Sequence, residues 1–78
     1  MENEIKEILE KYTKEHPTVI CTFHDDVLSD IFKISMEDLE TQKKISTGVF
    51  EQCIELSQLS LGDIITQLLD DLYTRLKR

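Results

Sequence analysis

Apolar residues recur along this chain mainly at spacings of three and four, the repeat of a helix that buries one face. Ile5, Ile8, Leu9 and Tyr12 form one such stripe and predict a first helix over 2–15, with Glu2 and Glu4 at the end where the helix dipole favours negative charge. Pro17 stops it, because a proline pushes the residue before it out of the α region. The last stretch carries the widest band: Leu61, Ile64, Ile65, Leu68, Leu69, Leu72, Tyr73 and Leu76, closed by Arg75, Lys77 and Arg78. It predicts a long amphipathic helix over 61–77.

Between these two, the pattern is less decided. Residues 18–23 are rich in β-branched side chains and alternate, so a hairpin at about 18–35, turning at Asp25-Asp26, is one reading. The other is helical, since Ile20, Phe23, Val27, Ile31 and Ile34 also fall at helical spacing and the Asp-Asp pair lacks the glycine that a tight hairpin favours. The helical reading is preferred. Serines three residues ahead of an aspartate, Ser35 with Asp38 and Ser60 with Asp63, resemble helix starts, each flanked by an apolar pair (Ile34 and Leu39, Leu59 and Ile64). These place helices at 36–44, 47–57 and 61–77. With only two glycines and one proline in 78 residues, tight turns are expected to be few. The expectation is therefore one all-α domain over 1–78, a bundle of four to five helices, with the α+β hairpin as the alternative.

Composition narrows the function classes. A chain this short buries only about 60% of its unfolded surface, which leaves little room for a deep cleft with its own supporting shell. Sixteen acidic residues against nine basic ones give a net charge of −7, and the stretch 25–71 holds 11 acids against Lys33, Lys43 and Lys44. Such a surface repels phosphate backbones and favours a basic partner. The start lacks the basic and apolar regions of an export signal, and no apolar run approaches the length of a membrane span. Cys21 and Cys53 are read as buried thiols of a cytoplasmic protein.

Four sets of residues bear on chemistry. Residues 28–39 resemble the helix-turn-helix of bacterial DNA-binding domains, but Lys33 replaces the turn glycine, and the would-be reading helix opens with Glu37, Asp38 and Glu40, which oppose a phosphate backbone. Cys21, His24, His16 and Cys53 are zinc-competent types without paired-cysteine spacing. Cys21, His24 and Asp25 or Asp26 supply the types of a thiol nucleophile, its base and an orienting acid, without an anion-binding loop beside them. The spread of carboxylates could imitate a nucleic-acid backbone. The reading these leave is a non-catalytic regulator or adaptor that needs no metal or cofactor and acts by protein–protein contact. Its expected partner surface combines Ile65, Leu68, Leu69, Leu72 and Tyr73 with Glu37, Asp38 and Glu40, and surplus apolar area on the last helix would pair two chains. The alternatives are a helix-turn-helix DNA-binding regulator and an acidic nucleic-acid mimic acting as an inhibitor.

Overall fold

A computed structural model describes residues 2–26 and 28–78. Its elements in chain order are α1 (Glu2–Glu15), β1 (Val19–Asp26), β2 (Ile31–Asp38), β3 (Lys44–Phe50), α2 (Glu51–Leu56) and α3 (Leu61–Leu76). The strands form one antiparallel meander in the order β1-β2-β3. The helices lie on one face of the sheet: α1 packs against β1 and α3, and α3 against β2 and β3.

The fold is α+β, which corrects the all-α expectation. The stretch assigned to helices at 36–44 and 47–57 contains the end of β2, all of β3, and a helix of only six residues, Glu51–Leu56. Ser35, expected to cap a helix, sits mid-strand between Thr22 and Ser46. Of the apolar residues at helical spacing, Ile20 and Ile31 point to the open face of the sheet and Phe23 and Ile34 to the helices; Val27, like Met1, lies outside the described residues.

The strands follow from an alternation with period two. In β2, Phe32, Ile34, Met36 and Asp38 are buried toward the helices, whereas Ile31, Lys33, Ser35 and Glu37 face outward. In β3, Ile45, Thr47 and Val49 face inward, and Lys44, Ser46, Gly48 and Phe50 outward. The turns are made without glycine: Asp30 (φ 53°) and Gln42 (φ 61°) take the left-handed positions. Gly48 serves close approach instead, since a Cβ there would stand 3.0 Å from Ile31 Cγ2.

The core gathers Ile5, Leu9 and Tyr12 of α1, Val19, Phe32, Ile34 and Met36 of the sheet, Ile54 of α2, and Ile65, Leu69, Leu72 and Leu76 of α3. The first and last helices form where the sequence places them. Ser60 caps α3, its Oγ accepting from the Asp63 N–H at 3.2 Å. The apolar band of α3 is wide because the helix meets two neighbours, the sheet beneath and α1 beside it.

Candidate protein-binding edge

β1 is an edge strand, and α1 crosses beside it. Between the two runs a groove of about 620 Å³, lined by Leu9, Thr13, Cys21 and Phe23, with Lys6, Glu10 and Lys14 of α1 on one rim and Ile20 and Thr22 on the other. Ile20 is 45% exposed, so the strand brings an apolar side chain into solvent at this edge.

The register fixes which backbone groups are free. Leu39 N–H donates to Thr18 C=O at 2.9 Å, and pairing continues from Val19↔Asp38 to Asp26↔Ile31. Because ladder hydrogen bonds alternate from side to side, Ile20, Thr22, His24 and Asp26 direct their backbone groups at β2. Val19, Cys21, Phe23 and Asp25 direct theirs away from the sheet. The Val19 N–H accordingly turns outward and meets His16 C=O at 3.1 Å. Among the described residues no strand pairs with this side of β1. The same four residues point their side chains toward the helices. An added strand would therefore gain backbone partners at the positions whose side chains border the groove.

The local charge differs from that of the whole molecule. Acidic residues occur in every element except β3, whereas this rim carries Lys6 and Lys14 around Glu10, and Asp25 and Asp26 close the far end of the strand.

A second polar cluster ties the ends of the elements together. Asp38 is only 1% exposed; its Oδ1 accepts from the Glu40 N–H at 2.9 Å and its Oδ2 from Lys77 Nζ at 3.2 Å. The Glu40 amide, and then the Lys77 ammonium, hold the Asp38 carboxyl below its usual range despite burial, and Asp38 in turn raises the Lys77 ammonium. Lys77 Nζ also reaches Thr18 Oγ1 at 3.4 Å and lies 5.6 Å from the centre of the Tyr73 ring. Tyr12 stacks on His16 at 4.1 Å and donates to Asp70 Oδ1 at 2.9 Å; burial first, and then Asp70, push its phenol far above the ordinary value. These contacts join α1, α3 and the β1–β2 end of the sheet, and they account for each polar group as structural support.

Comparison with protein-family models, with curated proteins and with solved structures found no match. The functional reading therefore rests on geometry alone.

That geometry separates the residues singled out in the sequence. Ile65, Leu69 and Leu72 are wholly buried within the chain's own core and present no surface, which corrects their expected place in a partner interface. Leu68 and Tyr73 are partly buried against the same core. Asp38 is the buried anchor just described, while Glu37 faces the open side of the sheet opposite Ile20 and Lys44, and Glu40 lies exposed in the following turn. The three acids thus do not form one face. Residues 31–38 of the supposed helix-turn-helix are β2, so the segment offers no helix to a DNA groove. Strand alternation puts Cys21 and His24 on opposite faces of β1, so neither the zinc set nor the nucleophile set converges; Cys53 is exposed on α2, and His16 is stacked on Tyr12. Among the described residues no three potential ligands come together. Burial, only partly opposed by the Thr13 hydroxyl, pushes the Cys21 thiol up, away from the thiolate that a nucleophile requires. The edge itself was missed because a strand's free side depends on its neighbours in the sheet. The one local signal was the β-branched run at 18–23.

Proposed function

We propose that this protein is a small non-catalytic binding module, a regulator or adaptor, that takes an extended protein segment as a fourth strand on the free edge of β1. The observation that carries the reading is the coincidence of two features at one place. Unpaired backbone groups at Cys21, Phe23 and Asp25 lie beside a groove whose floor is Leu9, Thr13 and the side chains of β1. Main-chain hydrogen bonds would supply affinity, and alternate side chains entering the groove would supply selectivity. Although the chain carries a net charge of −7, Lys6 and Lys14 make the groove locally positive and offer a carboxylate a site there. A reducing, cytoplasmic setting suits two cysteines that are both free. Among the described residues no helix is long and apolar enough to cross a membrane.

The test is selective capture from native extract. The wild-type chain is compared with Ile20→Lys and Lys14→Glu, which alter the groove rim, and with Asp71→Ala on the outer face of α3, each checked for folding by circular dichroism. A protein retained by the wild type and by Asp71→Ala but lost from both rim variants supports the reading. Capture that is indifferent to the rim overturns it.

A further inference from the structure

We infer that the strand received by β1 is the β1 strand of a second copy of this chain, forming a symmetric dimer with a continuous six-stranded sheet. The inference rests on the reading of this edge as the contact surface, and it names the occupant. Proteins shield exposed strand edges with charged side chains, lysine above all, or with proline, bulges or covering elements. β1 has none of these over Val19–Phe23; its charges, Asp25 and Asp26, stand only at the far end, and the helix beside it leaves a groove instead of a cover. The other edge, β3, begins with Lys44, carries Gly48 and runs directly into α2.

Parity and charge fix the pairing. Only Val19, Cys21, Phe23 and Asp25 offer outward backbone groups, so two antiparallel copies can bond only when each of these meets another of the set. Thr22 is the midpoint of that run. A two-fold axis at Thr22 pairs Cys21 with Phe23 of the second copy, and brings the Asp25 N–H to the free C=O of Val19, whose own N–H stays on His16. A symmetric interface of this kind is isologous, so each contact occurs twice. Phe23 of one copy enters the groove of the other near Cys21. Asp25 of one copy arrives beside Val19 of the other, at the end of the groove that Lys14 lines. The acid at one end of the strand thus meets the base at the other end, and no aspartate stands opposite an aspartate. On the open face Thr22 faces its own copy, and Ile20 faces His24.

Three measurements test this. Sedimentation of the full chain over a dilution series should show a monomer–dimer equilibrium. Lys14→Glu and Asp25→Lys should each weaken dimerisation about tenfold, and the double variant should recover most of the loss, because the swapped pair is again opposite in sign. In a Cys53→Ser chain, Thr22→Cys should give a disulfide-linked dimer on mild oxidation, since facing residues without ladder bonds stand about 4.5 Å apart at Cα, within disulfide range. The Cys53→Ser parent, whose Cys21 faces Phe23, should not cross-link. A dimer that ignores the charge swap and does not cross-link through position 22 places the self-contact elsewhere and overturns the inference; the edge reading falls with it only where partner capture also ignores the rim. A monomer throughout, with partner capture still lost from the rim variants, overturns the second copy as occupant and leaves the edge reading standing. A monomer whose capture ignores the rim overturns both.

Discussion

Asp38 and Lys77 show how single residues hold the ends of this fold together. The carboxylate closes the β2–β3 turn through the Glu40 amide and draws the last residues of the chain onto the sheet through Lys77. Because the folded state depresses the Asp38 carboxyl, its contribution is present above the ordinary carboxylate value of about 4 and is lost as pH falls through the lower folded value. Asp38→Asn should therefore lower the melting temperature at neutral pH by several degrees. The difference from wild type should shrink in strong acid, where both side chains are neutral; thermal melts across the acid range read it directly. Lys77, raised in the folded state, acts in the opposite window: its contribution is intact below its ordinary value and fades only at strongly alkaline pH. Tyr12 behaves as Lys77 does, since burial beside Asp70 keeps its phenol protonated.

At the scale of elements, the helices and the strands differ in how openly the sequence declares them. α1 and α3 are long and their apolar stripes unbroken, so periodicity places them at 2–15 and 61–77 against observed ends at Glu2–Glu15 and Leu61–Leu76. The strands are short, and a few apolar residues can satisfy both periods. Phe32, Ile34 and Met36 alternate cleanly with Lys33, Ser35 and Glu37, and Ile45, Thr47 and Val49 with Ser46 and Gly48. Two serine-aspartate pairs in the sequence carry the competing helix signal, and only Ser60 and Asp63 form a cap. The scarcity of turn glycines does not exclude hairpins here, because Asp30 and Gln42 adopt left-handed backbone themselves. Side chains tolerate that conformation poorly. Gln42→Gly should stabilise the protein by on the order of 0.5–1 kcal/mol, the relief at φ 61° exceeding the entropy that glycine adds to the unfolded chain. Urea titration measures the gain, and a loss would show that the side chain supports the turn.

At the scale of the molecule, stability depends on one small core shared between α1, the sheet and α3. Leu69 is fully buried where the helical layer meets the sheet. Leu69→Ala should cost about 2–5 kcal/mol, a large share of the roughly 4–12 kcal/mol available to a domain of this size. Equilibrium unfolding should show a sharply lowered midpoint. A change within about 0.5 kcal/mol would mean that the core rests elsewhere.

The same layering separates what sequence and tertiary structure each decide. Composition and periodicity by themselves determine the two long helices, the cap at Ser60, the acidic net charge and the scarcity of local motifs for catalysis. They do so because each depends on residues within a few positions of one another. Whether residues 18–50 become helix or sheet, which side of Cys21 faces solvent, and whether Asp38 is a surface acid or a buried anchor depend on contacts between distant segments: β1 with β2, β2 with β3, and Lys77 with the end of β2. The free edge of β1 exists only once β2 has taken the strand's other side, so no local stretch of the chain could disclose it.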